Sequence, residues 1–251
     1  GHPCDMDLIN EIVDGKNILI IEDAAEAHGA EYKKKRCGSL GNAAAFSFYG
    51  NKIITTGEGG MVVTNDDKIA EQARSMRNHC FGKGVDRYYH QEIGFNYRMT
   101  NIQAAIGLAQ LEIADELVHA RRKNAQQYNS LLKEIKGLLT PPEKDWAKNV
   151  YWMYGVVLDT AININKETFM RKLFEKGIDT RSFFAPMHLQ PCFTNKNIPT
   201  LPDCAGSYPV STWLGDRGCY LPSSGSLTQE EIIHVCDAIV EILKMTDVPS
   251  I

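Results

Sequence analysis

Residues 17–23 read Asn-Ile-Leu-Ile-Ile-Glu-Asp, a short apolar run that ends in two acidic residues. A continuous apolar run of this length is typical of a strand that is buried on both faces, as in a parallel sheet. The run therefore predicts a buried parallel strand in an α/β fold. Because ligands bind at the carboxyl ends of such strands, Asp23 at this end becomes a candidate site residue.

Further segments downstream extend the α/β pattern. Two short β-prone runs and two segments with helical periodicity follow the first strand, at residues 43–48, 60–64, 66–77 and 100 to about 132. Thr100 and Gln103 form a capping box at the start of the longest predicted helix. The sequence thus predicts one large α/β domain that ends in a long helix.

The helical pattern breaks at Gly137, Pro141 and Pro142, which is a natural place for a domain to change. Beyond this break, the sequence predicts a strand and two helices, at residues 151–158, 165–176 and 228–243. These elements favour a smaller α+β domain at the carboxyl end. We therefore predict a large domain over residues 1–136, including the long helix, and a small domain over residues 137–251.

Composition and charge exclude several classes of protein. The chain has 251 residues, 43% hydrophobic and 23% charged, which is ordinary for a globular protein of one or two domains. A net charge of −4 gives no general attraction to nucleic acid or to an anionic membrane. The basic run at residues 31–37 is short, so it favours a solvated hairpin turn over a localisation or nucleic-acid patch.

Neither a membrane span nor a metal site is predicted. No apolar run approaches the roughly 18 residues that a membrane span needs. Seven cysteines occur at wide spacings without a Cys-x-x-Cys pair, which indicates neither a zinc knuckle nor a redox motif. We expect reduced thiols in a cytoplasmic protein.

One loop carries the strongest chemical signal. Residues 47–60 read Ser-Phe-Tyr-Gly-Asn-Lys-Ile-Ile-Thr-Thr-Gly-Glu-Gly-Gly, which places Lys52 after a strand and among glycines. Such a lysine can act as an amine nucleophile, although a surface lysine in a turn is the simpler alternative. Asp23 upstream favours the chemical role. Pyridoxal phosphate (PLP) enzymes need a lysine for the aldehyde carbon and a carboxylate that keeps the pyridine nitrogen protonated.

Four ordered motifs support this hypothesis by their resemblance to a known family. They are Glu-Asp-Ala-Ala-Glu-Ala-His-Gly (residues 22–29), Phe-Ser-Phe-Tyr-Gly-Asn-Lys (46–52), Thr-Thr-Gly-Glu-Gly-Gly (55–60) and Gly-Phe-Asn-Tyr-Arg-Met-Thr (94–100). They closely resemble the PLP-dependent nucleotide-sugar aminotransferases of the DegT/DnrJ/EryC1/StrS family, and the Lys52 loop is most similar to the GDP-perosamine synthase subgroup. The resemblance covers essentially the whole chain. It implies the PLP-dependent transferase fold of type I, with a mainly parallel sheet domain that binds PLP and a smaller α+β domain.

The resemblance also implies roles for individual residues. Lys52 resembles the lysine that joins the cofactor aldehyde and later shuttles a proton, and Asp23 resembles the partner of the pyridine nitrogen. Glu26 matches the position that approaches the ring hydroxyl O3′, which is often Gln; a Glu there needs a protonated carboxyl or a rearranged network. Ser47 resembles a phosphate ligand. Asn96 resembles the residue that reaches the phosphate of a neighbouring subunit, which implies a homodimer with shared active sites.

The substrate side is implied with less detail. Arg181 and His188 lie in a segment that lines the sugar-nucleotide side in the family, where an Arg suits a diphosphate or a donor carboxylate, and a structural Arg is the alternative. The implied reaction converts a nucleotide-linked 4-keto-6-deoxy sugar to the 4-amino sugar, with glutamate as donor, in the cytoplasmic synthesis of amino sugars such as those of lipopolysaccharide O-antigen.

Three alternatives to this reaction remain. The first is amination at C3, and the second is a sugar dehydratase of the same family that uses pyridoxamine phosphate and replaces the lysine, commonly with His. The third is a non-catalytic remnant or regulatory binding protein that keeps the fold. Lys52 argues against the dehydratase. The pair of Lys52 and Asp23 disfavours the non-catalytic alternative, whereas the missing start of the family pattern favours it.

The family pattern also contains a stretch that would precede Gly1. In the family, this stretch supplies a turn at a helix N-terminus that cradles the phosphate, and an aromatic ring that stacks on the pyridine. Neither motif occurs in this sequence. We therefore expect that the chain was cut, that it is a segment of a longer product, or that the remainder is a separate chain.

Overall fold

A computed structural model describes residues 1–82, 84–90, 92–194, 204 and 206–244. The chain divides into two compact units. The first unit comprises Gly1–Arg122 and Glu143–Trp152, and the second comprises Lys123–Pro142 and the chain from Met153 onward. Each unit has its own buried side chains and is described separately below.

The chain contains ten strands and eight α-helices in the described residues. The strands are β1 (Ile21–Asp23), β2 (Glu31–Tyr32), β3 (Lys35–Arg36), β4 (Ala43–Ser47), β5 (Gly60–Thr64), β6 (Leu138–Leu139), β7 (Ala147–Lys148), β8 (Tyr154–Leu158), β9 (Arg181–Ser182) and β10 (Gly218–Leu221). The helices are α1 (Met6–Val13), α2 (Asp67–Met76), α3 (Asn101–Glu112), α4 (Ala114–Leu132), α5 (Lys166–Glu175), α6 (Pro191–Thr194), α7 (Pro209–Arg217) and α8 (Gln229–Lys244). Two short 3₁₀ helices cover Gly84–Asp86 and Met187–Leu189.

The main sheet of the first unit has the strand order β1-β4-β5. Strand β1 runs parallel to β4, with Asp23 opposite Ala45, and β5 runs antiparallel to β4. The α/β class predicted from the sequence is confirmed. Within the described residues, the sheet has one parallel and one antiparallel pairing, so it is mixed rather than mainly parallel.

The burial predicted for the first strand is wrong in this chain. Ile18, Leu19 and Ile21 are 53%, 65% and 73% exposed, and the strand itself is only Ile21–Asp23. An apolar run indicates that a strand can be buried, but it does not identify the elements that would pack against it. Ile18, Leu19 and Ile21 are therefore exposed in the described part of the molecule.

The basic run forms the predicted solvated hairpin. Strands β2 and β3 pair antiparallel, and the turn residues Lys33 and Lys34 adopt positive φ angles of 46° and 69°. Two consecutive left-handed residues match the right-handed twist of the flanking strands. Both strands are short and both residues of β3 are exposed, as expected for a polar surface turn.

The long predicted helix consists of two helices. Thr100 and Gln103 form the predicted capping box at the start of α3. At Ile113 the backbone leaves the helical region, with φ −114° and ψ 19°, and α4 begins at the next residue. A β-branched residue has a lower helix propensity, which is compatible with a break at this position.

The second unit is built on an antiparallel sheet with the order β6-β8-β10-β9. Helices α5 and α8 pack against each other and bury Phe169, Leu173, Ile232 and Ile239. This arrangement agrees with the smaller α+β domain expected at the carboxyl end. Among the described residues, every helix is too short or too polar to cross a lipid bilayer.

The units do not divide at the predicted residue 136. Tyr128, in the second half of α4, is completely buried and stacks on Tyr154 with 4.7 Å between ring centroids. Its hydroxyl donates to the carbonyl of Pro222 at 2.9 Å. These contacts make residues 123–136 part of the second unit, because packing and not the Gly and Pro residues decides where the unit begins.

Candidate active site

Two loops leave the main sheet of the first unit at the same edge. Asp23 is the last residue of β1, and Ser47 is the last residue of β4. Because β1 and β4 are parallel neighbours, their carboxyl ends lie side by side. The loop after β1 carries Glu26 and His28, and the loop after β4 carries Lys52. The topology thus brings together candidate residues that are about 30 positions apart in the sequence.

The turn that carries Lys52 is held by its own backbone. Lys52 donates its N–H to the carbonyl of Tyr49 at 2.9 Å, and Thr56 donates its N–H to the carbonyl of Phe48 at 2.9 Å. Gly59 has a φ of 146°, and a Cβ atom there would lie 2.7 Å from the hydroxyl oxygen of Thr56. Glycine is therefore required at this position, which explains part of the glycine-rich pattern around the lysine.

The Lys52 ammonium lies between a carboxylate and an aromatic ring. Its Nζ is 3.4 Å from Oε1 of Glu26 and 4.1 Å from the centroid of the Trp152 ring. The Lys52 side chain is only 10% exposed. Lys52 is therefore shielded from most solvent and held by a charge and a ring, which a solvated surface lysine in a turn would not be.

The two acidic residues at the end of β1 differ in their surroundings. The carboxylate of Glu22 accepts hydrogen bonds from the backbone N–H groups of Gly38, Leu40 and Gly41, at 2.6–2.7 Å. Asp23 is exposed, and its Oδ1 accepts from the N–H of Ala25 at 3.1 Å. Glu22 therefore fixes a turn, whereas Asp23 presents a carboxylate at the sheet edge.

His28 is a further residue near Lys52, and sequence reasoning assigned it no role. It is 6% exposed and lies between the rings of Phe46 and Phe48, at centroid distances of 5.5 and 5.7 Å. Burial, together with the positive charge of Lys52, lowers the pKa of His28 to about 4. Neither ring nitrogen has a hydrogen-bond partner among the described residues. In the sequence, the only signal for His28 is its place in the motif of residues 22–29, because its burial between aromatic rings depends on the fold.

The other two predicted cofactor ligands, Ser47 and Asn96, differ in their local hydrogen bonds. The hydroxyl oxygen of Ser47 accepts from the N–H of Tyr49 at 3.2 Å, so its own hydrogen can be donated to a ligand. Asn96 pairs with Asn78 in an isolated bridge, and its Oδ1 accepts from Nε of Arg98 at 3.1 Å. The structure thus places Ser47 at the sheet edge, while Asn96 has no hydrogen bond to the Lys52 turn within the described residues.

The two predicted substrate residues belong to the second unit. Arg181 lies on β9 opposite Tyr220 and is exposed. Nε2 of His188 lies 3.2 Å from the hydroxyl oxygen of Thr212, and its ring lies 4.6 Å from that of Tyr208. Arg181 is therefore open to solvent, whereas His188 is part of a local packing cluster.

The residues of the first unit fit an aldehyde-bearing pyridine cofactor. The set contains a nearly buried amine, an exposed carboxylate on the adjacent strand and a hydroxyl group that can donate. Buried polar atoms without partners among the described residues also occur here, on His28 and on Oδ1 of Asn51. Such atoms are rare in folded proteins and need an explanation, and a bound polar group is one.

Comparison with known proteins identifies the family of the chain. A model of the DegT/DnrJ/EryC1/StrS aminotransferase family matches residues 1–240. The GDP-perosamine synthase of Caulobacter vibrioides is 42% identical over 247 residues, which are 97% of this chain and 64% of that protein. The GDP-perosamine synthase of Escherichia coli O157:H7 is 42% identical over 243 residues, which are 96% of this chain and 63% of that protein. The chain therefore spans slightly less than two thirds of the length of these relatives.

A solved structure supports the same assignment. DesV of S. venezuelae superposes with a TM-score of 0.85 at 31% identity, over 100% of this chain and 64% of that one. The cofactor of the family is PLP, and the fold is that of the PLP-dependent transferases of type I. The chain belongs to the DegT/DnrJ/EryC1/StrS aminotransferase family.

Proposed function

We propose that the protein carrying this chain is a PLP-dependent aminotransferase that converts a nucleotide-linked 4-keto-6-deoxy sugar to the 4-amino sugar. The carrying observation is the nearly buried amine of Lys52 beside Glu26, on the sheet edge that Asp23 also occupies. We further propose GDP-4-keto-6-deoxymannose as the substrate and glutamate as the donor. The support is the similarity to relatives named GDP-perosamine synthases.

In this proposal, residues of the first unit hold the cofactor. PLP, when bound, supplies an electron sink for the carbon that loses a proton. Asp23 would keep the pyridine nitrogen protonated, and the Ser47 hydroxyl would donate to a phosphate oxygen. Lys52 would supply the amine for the aldehyde carbon and would afterwards hold and move a proton with its Nζ atom.

Glu26 has a second role in the proposal beyond the ring hydroxyl. Its carboxylate lies 3.4 Å from Nζ of Lys52, so it can accept a hydrogen bond from the amine that must move the proton. A Gln at this position could also accept, but it would carry no charge to stabilise an ammonium. Glu26 would therefore orient Lys52 as well as contact the cofactor.

The site is proposed to be completed by a second copy of the chain. The segment that carries Asn96 is exposed and rich in aromatic residues, with Tyr88, Tyr89 and Tyr97 each about three quarters exposed. Polar and aromatic surface of this kind is common in the contact regions between subunits. We propose that Asn96 serves the phosphate in the partner's site, which makes the active form a homodimer.

Two experiments test the proposal. Borohydride reduction of the PLP-loaded protein, followed by peptide mapping, should place the pyridoxyl label on Lys52, and a label on another lysine would overturn the assignment. Amination should then be assayed with glutamate across GDP-, dTDP- and UDP-linked keto sugars. A preferred 3-keto sugar would overturn the C4 assignment, and no amination of any sugar nucleotide would support the non-catalytic alternative.

Mixed dimers test the shared site. Lys52→Ala chains combined with Asn96→Ala chains should recover part of the activity, because one hybrid site contains both wild-type residues. The control dimer combines Lys52→Ala chains with Lys35→Ala chains, whose change lies in the exposed hairpin. It gives the activity expected when one of the two sites has all its wild-type residues. A verified mixed dimer without recovery would show that Asn96 does not act on the partner's site.

A further inference from the structure

Trp152 contacts the lysine turn at two points. Its indole Nε1–H donates to the backbone carbonyl of Asn51 at 2.9 Å, and the ring centroid lies 4.1 Å from Nζ of Lys52. Trp152 is 5% exposed. One side chain thus fixes both the backbone just before the lysine and the end of the lysine side chain.

The position of Trp152 is itself determined by its neighbours. Nη1 of Arg121 donates to the Trp152 carbonyl at 2.7 Å. The preceding residue, Tyr151, has a φ of 47° and donates its N–H to Oδ1 of Asn149 at 2.9 Å. A left-handed conformation is uncommon for an aromatic residue and persists only where the surroundings enforce it. The backbone before Trp152 is therefore held in a conformation that directs this segment.

The two contacts have different physical effects. The hydrogen bond to Asn51 restrains the turn, and a Trp donor buried without a partner would be unfavourable. The ring face attracts a cation through its quadrupole, more strongly where water is excluded, as it is around a lysine that is 10% exposed. Glu26 contacts the same Nζ atom, so the amine is restrained by a charge and by a ring.

We infer that Trp152 is a positioning residue for Lys52, which holds the amine in place and shields it from solvent. The inference rests on the proposed function only for its purpose, because the contacts themselves are between residues of this chain. A merely structural Trp would fill space in the first unit without altering the chemistry of the amine. Trp146 offers a matched control, since it lies in the same segment and its ring contacts His2 and Tyr32 edge-on.

The test measures the reactivity of Lys52 in the protein without cofactor. Trinitrobenzenesulfonate labelling at Lys52 is followed by mass spectrometry in wild type, Trp152→Phe, Trp152→Leu and Trp146→Phe. We expect Trp152→Leu to raise the labelling rate about tenfold, as expected for losing a desolvated cation–π contact. Trp152→Phe keeps a ring but loses the N–H donor, so a rise of about twofold to threefold is expected. Trp146→Phe should leave the rate at the wild-type value.

A folding control keeps the test decisive. Thermal unfolding shows which variants are folded. If Trp152→Leu does not fold, the labelling of Trp152→Phe decides the test. Unchanged Lys52 labelling in folded Trp152 variants would overturn the inference, as would an equal increase in Trp146→Phe. In a second measurement, borohydride trapping of added PLP should show a smaller share of the label on Lys52 in the Trp152 variants. Failure of the wild type to capture PLP would count against the proposed function and leave the labelling result intact.

Discussion

The Lys52 turn in the first unit and residues 181–190 in the second unit differ in the surroundings of their polar side chains. Around Lys52, the nitrogens of His28 and the amide oxygen of Asn51 are buried without partners among the described residues. In the other segment, Arg181 is exposed and His188 already contacts Thr212 and Tyr208. Buried polar atoms without partners among the described residues also occur on Asn78 and Gln127, so such an atom alone does not mark a chemical site. What distinguishes the Lys52 turn is that such atoms lie there together with a nearly buried amine and a carboxylate.

The largest expected effect is at the lysine. Lys52→Ala should reduce amination by at least about 10⁴-fold, because no other group in the turn can supply the amine. Lys35→Ala in the exposed hairpin should leave the rate unchanged and serves as the control. The measurement is single-turnover amination at saturating sugar nucleotide. If Lys52→Ala kept activity within tenfold of wild type, Lys52 would not supply the amine. The Lys52 turn would then differ from residues 181–190 in burial only.

The next effect separates the two acidic residues at the end of β1. Asp23→Asn should cut turnover by several orders of magnitude, with little change in stability, because a neutral amide cannot keep the pyridine nitrogen protonated. Glu22→Gln should do the reverse. It weakens three backbone hydrogen bonds to a charged acceptor, which we expect to lower the free energy of unfolding by about 2 kcal/mol.

Turnover and urea unfolding of both variants check this separation. Equal turnover in Asp23→Asn and wild type would make Asp23 structural. Loss of turnover in a stable Glu22→Gln would mean that Glu22 reaches the cofactor. Only the two results together would exchange the roles of the two residues.

The His28 environment predicts an acid-dependent loss of stability. Its pKa in the folded protein is about 4, below the ordinary histidine value of 6.5, because burial and the charge of Lys52 disfavour the protonated ring. Between these values the unfolded chain binds more protons, so the stability is complete above about pH 6.5 and falls towards pH 4. The slope from this one group is at most about 1.4 kcal/mol per pH unit.

His28→Gln isolates this contribution, because Gln does not titrate. Urea unfolding at pH 7, 6 and 5 should show a shallower loss of stability in the variant than in wild type. His119→Gln, at an exposed position on α4, should keep the wild-type slope. An unchanged slope in His28→Gln would show that His28 is not held neutral by its surroundings.

The sequence predicted much of this site because its signals are local. Glycines flanking Lys52, an acid at a strand end and the Thr100 cap all follow from rules that concern a few neighbouring residues. The sequence did not predict that Trp152 contacts Lys52, because the two residues are 100 positions apart and meet only in the folded chain. The burial of Ile18 and Leu19 was predicted wrongly for the same reason, because periodicity does not identify the covering partner.

The smallest expected effect concerns Arg181. This residue can bind the diphosphate, bind the donor carboxylate or have a structural role only. Its guanidinium suits a diphosphate or a donor carboxylate, and its exposure on β9 means that removal should not change the melting temperature. If it binds the diphosphate, Arg181→Gln should raise KM for the sugar nucleotide about tenfold and leave KM for glutamate unchanged, as expected for one charge-assisted hydrogen bond. A rise in KM for glutamate alone would indicate the donor carboxylate. With both KM values unchanged, Arg181 would have no ligand, and the contrast between the two segments would be complete.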